Sequence, residues 1–265
     1  MIKKLLLIVI ITFSASLLPA DDFPYQLDWR KDALIGGGAA LLYGTHLAIT
    51  FTQDRDSAKD HGLDRLHKSD INFVDRSMMC SYSRGLDLTG DILLAFTMAA
   101  PFALAIHQSR DNIITEAVMY AEALLLAHSV KELTKDCVIR WRPYCYYDDT
   151  RSKLLRDDDS GKSFMSGHAA IAFTSASFLT TVYAHLHPDG KNKYWVAGGS
   201  FAAAAGVAAL RVFSGNHFFT DVLVGAAWGT FAGWIVPQLH LGQEDKPVKL
   251  SLVSETGVPG ILFNF

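Results

Sequence analysis

The chain has 265 residues, half of them apolar, and this length suits one large domain or two small ones. Its 27 acidic residues outnumber its 24 lysines and arginines, and a net charge of -3 argues against nucleic acid as a partner. The mean hydropathy of +0.18 excludes disordered and fibrous proteins but lies between soluble enzymes and multispan membrane proteins.

The first twenty residues are typical of an export signal. Lys3 and Lys4 precede an apolar run that ends sharply at Asp21. The run is short for a membrane span, which needs roughly 20 apolar residues. We therefore predict that residues 1–20 are a signal peptide cleaved after Ala20, with an uncleaved N-terminal anchor as the alternative.

Six apolar segments follow, each long, rich in Ala and Leu, and poor in alternating β-branched residues. These properties favour helix over strand, so we predict an all-α bundle of about six apolar helices. Glu116, Glu122 and His128 lie in the third segment, and they must face the bundle interior if that helix spans lipid. The segments cover residues 33–52, 87–108, 113–130, 168–186, 195–212 and 221–238.

The domain organisation follows from where this apolar pattern begins and ends. We predict one domain over residues 21–242, with its chemistry concentrated in residues 131–221. Residues 243–265 form a short irregular or strand-like tail, because residues 248–252 alternate in polarity. The charged run at residues 157–159 is interpreted as a solvated loop, with gating of a headgroup or binding of a cation as the alternatives.

The first group of candidate functional residues is Lys135 followed by Arg142 and Pro143. A separation of seven residues on a helix places the two cations two turns apart on one face. Pro143 favours a helix end just before it, so two positive groups would reach one pole, although a solvated basic helix end has the same pattern. Cys137 and Cys145 flank the proline and are either a disulfide or two thiols in an exported protein.

The second group is Ser166, Gly167 and His168, directly before an apolar helix. Serine is a common N-cap, glycine lets a ligand approach the backbone, and free amides at a helix start attract anions. His168 could then give a proton to a leaving oxygen, whereas the alternative is an ordinary helix start with an incidental histidine. The nearby residues 161–163 do not complete a nucleotide phosphate loop, because Arg156 occupies the position that requires glycine.

The third group is Arg211, His217 and Asp221. A spacing of four places His217 and Asp221 on one helical face, where the carboxylate can accept the imidazole N–H. That bond would fix the tautomer and leave the other nitrogen as a nucleophile. The alternative is a structural His and Asp pair at a capped helix start.

Together the three groups resemble the three ordered motifs of the type 2 phosphatidic acid phosphatases, a family that includes class A bacterial acid phosphatases and vanadium haloperoxidases. The first motif matches fully, and the resemblance covers roughly residues 87–238. Two flanking positions depart from the pattern, because Met165 replaces a proline and Leu210 replaces a serine. Met165 either leaves the phosphate loop freer or packs within a rebuilt loop.

The resemblance implies phosphoryl transfer to histidine. His217 would attack phosphorus, Asp221 would orient it, and His168 would protonate the leaving oxygen and later activate water. Three cations and a helix start would offset the phosphoryl charge, so the resemblance implies no metal and no other cofactor. The phosphate-binding residues would be Lys135, Arg142, Ser166, Gly167 and Arg211.

The resemblance leaves the substrate and the location open. A phosphorylated lipid, either a monoester or a pyrophosphate, is expected, and a small phosphate ester cleaved by a soluble periplasmic acid phosphatase is the alternative. A vanadium haloperoxidase and a non-catalytic membrane or envelope scaffold are further alternatives. The expected location is a bacterial inner membrane, with the active site facing the periplasm. An exported N-terminus followed by three spans would instead place Lys135 in the cytoplasm, unless residues 33–52 fail to cross or the domain is periplasmic.

Overall fold

A computed structural model describes residues 23–52, 66–106, 108–147 and 159–242 and confirms an all-α bundle. All six predicted apolar segments are helical, whereas the predicted signal or anchor and the C-terminal tail lie outside the described residues. Three short 3-10 helices occupy Lys68–Asp70, Ala100–Ala105 and Pro143–Tyr146. The α-helices are α1 (Trp29–Thr52), α2 (Phe73–Ser77), α3 (Arg84–Ala99), α4 (Arg110–Cys137), α5 (Gly167–Leu186), α6 (Lys193–Phe213) and α7 (Phe219–His240).

The six long helices alternate in direction, because short turns connect α3 to α4, α5 to α6 and α6 to α7. One end of the bundle, called the motif end below, carries the last turns of α1, α4 and α6 and the first turns of α3, α5 and α7. A hydrogen bond of 2.5 Å between His46 of α1 and Asp136 of α4 lies at this end. The opposite, far end carries a backbone bridge between Tyr25 and Leu241.

Helix α5 lies in the centre of the bundle and contacts α3, α4, α6 and α7. Phe178, Leu179 and Val182 of this helix belong to the main apolar core and are at most 2% exposed. Because α5 is covered on all sides, its first turn is fixed relative to the first turn of α7 and the last turns of α4 and α6. The motif residues on these elements are thereby held together.

Helix α7 packs against α5 at a distance that only glycine allows. A Cβ atom at Gly225 would lie 2.5 Å from the carbonyl oxygen of Ser166. Cβ atoms at Gly229 and Gly233 would clash with carbonyl oxygens of α5. A spacing of four places the three glycines on one face, and small residues there let two helix backbones approach closely. We call this contact the glycine seam.

Six helical segments are long and apolar enough to cross a membrane. Large apolar side chains cover their outer faces, and Phe51 and Trp195 are 86% and 82% exposed. Such extensive exposed apolar surface is typical of a face that contacts lipid. These helices indicate a membrane protein. The candidate spans are Trp29–Thr52, Arg84–Ala105, Arg110–Cys137, Gly167–Leu186, Lys193–Phe213 and Phe219–His240.

The polar residues of α4 divide into two groups. Glu116 and Glu122 are buried, as a lipid-facing helix requires. The same expectation is wrong for His128, whose side chain is 40% exposed and lies 3.7 Å from Glu132. His128 lies nearly two turns nearer the motif end than Glu122, and its partner Glu132 is about one further turn along the same face.

Candidate active site

The fold brings all three sequence motifs to the motif end of the bundle. Helix α4 presents its motif lysine in its last turn, the serine is the N-cap of α5, and α6 presents its arginine in its last turn. Most of these side chains are buried even though they are polar. Buried polar side chains require partners, and their hydrogen bonds therefore define the site. The motif residues in this region are Lys135, Arg142, Ser166, Gly167, His168, Arg211, His217 and Asp221.

His217 lies in the turn between α6 and α7 and is 3% exposed. Its Nδ1 atom is 2.7 Å from the carbonyl oxygen of Ser163. A carbonyl oxygen only accepts, so Nδ1 carries the proton and Nε2 keeps its lone pair. Burial, aided by the positive charges of Arg142 and Arg211, lowers the pKa of His217 to about 3. The imidazole is therefore neutral near pH 7, with a nucleophilic nitrogen available.

Asp221 does not accept the imidazole N–H directly, in contrast to the expectation from the spacing of four. Its Oδ2 atom lies 3.9 Å from Nδ1 of His217, beyond hydrogen-bond distance. The same oxygen accepts from the Ser163 hydroxyl at 2.6 Å and from the Phe218 backbone N–H at 2.9 Å. Asp221 therefore holds Ser163, and the carbonyl of Ser163 orients His217. The sequence motifs gave no indication of this role for Ser163.

Lys135 and Arg142 converge, but not on one helical face as predicted. Helix α4 ends at Cys137, and Arg142 lies in an extended segment whose N–H donates to the Ser160 carbonyl at 2.9 Å. The two cations meet at Asp159, which pairs with the Arg142 guanidinium and lies 3.6 Å from the Lys135 ammonium.

Asp159 corrects the interpretation of residues 157–159 as a solvated loop, since its carboxylate belongs to the site. Burial opposes its charged form, but the charges of Arg142 and Lys135 hold its pKa below the ordinary value. The other two acidic residues of the run lie outside the described residues.

Arg211 and His168 meet at two carboxylates of α3. The Arg211 guanidinium is 4% exposed, pairs with Asp87 and lies 3.3 Å from Asp91. The His168 Nε2 atom is 2.8 Å from the same Asp91 oxygen. Asp87 and Asp91 were not singled out in the sequence, because a helix start with two acidic residues is common and the partners are more than 70 residues away.

A comparison with models of protein families indicates what kind of protein has this arrangement of residues. The model of the PAP2 superfamily matches residues 116–244, a range that contains all three motifs. This match supports membership of the PAP2 superfamily. Phosphatases make up this superfamily in general, so the match supports activity of the phosphatase type. Comparisons with curated proteins and with solved structures gave no significant match.

The site contains a fourth cation, a lysine that the motifs did not identify. Ser166 caps α5 as predicted, since its hydroxyl accepts from the Ala169 N–H at 3.4 Å. A Cβ atom on Gly167 would lie 2.7 Å from Cδ of Lys131, so the lysine would have to shift if this position carried a side chain. Lys131 is buried, pairs with Glu132 and lies one turn before Lys135. A spacing of four residues in α4 could have suggested it.

Arg140 connects the start of α7 to α2 through two carboxylates. Its guanidinium pairs with Asp221 and with Asp75, the latter at 2.6 Å, and lies 4.4 Å from the centre of the Phe218 ring. Asp75 is fully buried and also accepts from the Thr220 N–H at 2.9 Å. Burial opposes the charged form of Asp75, but hydrogen bonds from Thr220, Asn72 and Arg140 lower its pKa overall. Asp75 and Arg140 therefore fix the first turn of α7.

The structure locates the two residues that depart from the family pattern and the two cysteines whose pairing the sequence left open. Met165, where the PAP2 pattern has proline, is 2% exposed, which favours a loop built around the longer side chain. Leu210 lies against the position where a Cβ of Gly90 would be, 3.5 Å away. Cys137 is exposed at the end of α4, whereas Cys145 is buried with its sulfur 3.9 Å from the Ser160 carbonyl, and the two are not bonded to each other.

Proposed function

We propose that this protein hydrolyses phosphate monoesters or pyrophosphates through a phosphohistidine on His217. The observation that carries the proposal is the hydrogen bond from Nδ1 of His217 to the Ser163 carbonyl, at 2.7 Å. It leaves Nε2 unprotonated in a buried position between the segments that present Arg142 and Arg211. A neutral imidazole beside two guanidinium groups suits attack on an anionic phosphorus centre.

In the first step, Nε2 of His217 forms a bond to phosphorus as the bond from phosphorus to the leaving oxygen breaks. His168 donates a proton to that oxygen, and Asp91 stabilises the imidazolium at 2.8 Å before the transfer. In the second step, His168 takes a proton from water, and the water oxygen attacks phosphorus. The bond between phosphorus and nitrogen breaks, which regenerates neutral His217 and releases phosphate.

Before substrate binds, side-chain carboxylates contact the cations that would otherwise bind the phosphoryl oxygens. Arg142 and Lys135 contact Asp159, and Arg211 contacts Asp87 and Asp91. The Asp159 side chain is 41% exposed and can turn toward solvent when a phosphate dianion replaces it, whereas Asp91 stays in contact with His168. This exchange preserves the charge balance around the buried arginines and keeps them oriented between turnovers.

A direct test of the anion site combines vanadate with a chelator. Vanadate should inhibit turnover, because it imitates five-coordinate phosphorus and would be held by the same cations. A chelator should leave the initial rate of phosphate release unchanged, because the proposed steps use only side chains. Recovery of a lost rate by a divalent ion, in protein shown to remain folded in the chelator, would instead implicate a metal in the chemistry.

We propose a phosphorylated lipid as the substrate, because the site lies at one end of helices with exposed apolar outer faces. A lipid can keep its chains beside such a surface while its headgroup enters the motif end. In detergent micelles, a phosphorylated lipid should show a kcat/KM at least about tenfold above that of a soluble phenyl phosphate, a difference of roughly 1.4 kcal/mol. Equal values for both esters would favour a non-specific acid phosphatase.

We further propose that the motif end faces the periplasm. This orientation is the one that the family resemblance implies. The Lys and Arg residues add no support, because residues 53–83 and 138–166, which join helices at the motif end, contain more of them than the far-end turns. If all six helices cross the membrane, a periplasmic motif end places residue 23, at the far end of the bundle, in the cytoplasm. A periplasmic site is then incompatible with translocation of the N-terminus. An impermeant maleimide added to intact cells should label Lys68→Cys and not Asp189→Cys in a background without native cysteines. The reverse labelling pattern would place the site in the cytoplasm.

A further inference from the structure

Three polar side chains from three different helices meet at the far end, away from all the PAP2 motifs. They are Asp32 in the first turn of α1, Glu122 in α4 and His240 in the last turn of α7. Each offers a ligand atom, and these atoms all lie within 4.8 Å of one another. His240 is fully buried, and Glu122 is 7% exposed. Nothing in the proposed phosphatase mechanism uses them.

The proton positions in this cluster require a positive charge between the three groups. Nδ1 of His240 lies 2.9 Å from the Val236 carbonyl and therefore carries a proton. The opposite ring nitrogen, Nε2, faces Asp32 at 2.9 Å and Glu122 at 3.3 Å. In a neutral imidazole, Nε2 would direct its lone pair at two carboxylates, which is repulsive. Either a proton or a metal cation must therefore lie between them.

A proton on Nε2 satisfies only part of the cluster. The imidazolium would donate its one hydrogen bond to Asp32, which leaves the buried Oε2 atom of Glu122 with no hydrogen-bond partner. Two carboxylates and one imidazolium also leave one negative charge within the bundle, which a second proton or a cation has to balance.

A divalent cation satisfies all three groups at once. Two carboxylates, a neutral imidazole and a dication have no net charge. Nitrogen and oxygen ligands about 2.0 to 2.2 Å from Zn²⁺ are separated by about 3.3 to 3.6 Å in a tetrahedral site. The distance from His240 to Glu122, 3.3 Å, fits this range, and the 2.9 Å distance to Asp32 needs only a small lengthening. The hydrogen bond from the other ring nitrogen of His240 to a backbone carbonyl is also the usual support of a metal-binding histidine. Asp32, whose side chain is 24% exposed, provides a path from the surface.

We propose that Asp32, Glu122 and His240 bind a divalent transition-metal ion of the Zn²⁺ type that joins α1, α4 and α7 at the far end. A ligand set of one imidazole and two carboxylates suits this class of ion better than Mg²⁺ or Ca²⁺, which prefer oxygen ligands alone. The site is structural. His240 follows Asp221 by 19 residues in the same helix, which separates the ion from the phosphatase motifs by about 28 Å.

The test uses the full-length protein in detergent, purified through a tag without histidine and equilibrated with Zn²⁺ before dialysis. The bound metal is measured by mass spectrometry for wild type and for Glu122→Gln, which preserves the shape of the side chain. Glu116→Gln is the matched control, because Glu116 is also buried in α4 but lies outside the cluster. Wild type and the control should each retain about one Zn²⁺ per chain, and Glu122→Gln less than about a tenth of that amount.

Thermal unfolding provides a second measurement that does not depend on activity. A chelator should lower the Tm of wild type and of Glu116→Gln but leave that of Glu122→Gln unchanged, because only the first two lose a bound ion. Zinc retention in wild type no greater than in Glu122→Gln would overturn the proposal and leave an imidazolium between two carboxylates. Phosphoenzyme formation is recorded on the same samples, so a failure of the metal site is distinguishable from a failure of the phosphohistidine mechanism.

Discussion

His217→Ala should abolish phosphate release and acid-labile phosphate labelling, with kcat reduced by at least about 10⁴-fold. The substitution removes the only nitrogen proposed to bond to phosphorus, and neighbouring groups offer no replacement, since the nearest motif side chains are cations or are hydrogen-bonded. Labelling with a radioactive phosphate ester, followed by acid and alkaline treatment, identifies phosphohistidine by its stability in base. His168→Ala should retain some labelled protein, because attack can occur while hydrolysis of the intermediate lacks its base.

Two further variants separate chemistry from folding. His217→Asn keeps an N–H group near the Ser163 carbonyl, so it should preserve the local fold while labelling disappears. His185→Ala removes a histidine whose Nδ1 atom contacts the Tyr25 hydroxyl at 2.7 Å at the far end, and it should label normally. Equal labelling of wild type and His217→Ala would exclude the mechanism.

Arg211→Ala should lower kcat/KM by about 10²- to 10³-fold, the usual effect of removing one charge-stabilising donor from a transition state. Arg211 is buried beside Asp87 and Asp91, and its guanidinium would be the main positive group next to His168. Without it, Asp91 would pair with His168 alone. Arg211→Lys should show an intermediate loss, because a lysine keeps the charge but cannot form two parallel hydrogen bonds.

Arg84→Ala is the matched control for this substitution, because Arg84 is an exposed arginine at the start of α3. Its kcat/KM should stay within about twofold of wild type, in the range of ordinary surface substitutions. Protection of the Tm by vanadate gives an independent measurement, and Arg211→Ala should lose most of that protection. An Arg211→Ala protein with wild-type kcat/KM and full vanadate protection would remove Arg211 from the anion site.

The sequence predicted the helices and the motif residues better than it predicted the bonds between them. Long apolar segments specify helices locally, and three ordered motifs identify residues that must meet. The partner of a buried charge, in contrast, depends on tertiary packing. Asp159 looked like part of a solvated acidic run, and only the approach of Arg142 and Lys135 gives it a role.

The spacing of His217 and Asp221 shows a second limit. A separation of four residues predicts a shared helical face, but His217 precedes the first turn of α7 and is not helical. Asp221 occupies the third position of the helix, where its carboxylate turns back to the Phe218 N–H. The spacing thus places the two side chains near each other. The position of Asp221 in the first turn of α7 determines that its carboxylate accepts from the Phe218 N–H and not from His217. Similarly, the segment around Arg142 is extended because it pairs with residues 160–163, which no local pattern indicated.

The glycine seam determines which side of the site can move to accommodate a substrate. His168 belongs to the first turn of α5 and His217 lies just before α7, so the gap between the proposed attacking nitrogen and the proposed proton donor is set by two backbones in direct contact. A spacing maintained by backbone atoms cannot widen to admit a bulkier headgroup. We therefore expect room for a substrate to come from the side of α3, which contacts Arg211 and His168 through the side chains of Asp87 and Asp91. Specificity can then change through substitutions along that side while the distance between the two histidines stays constant.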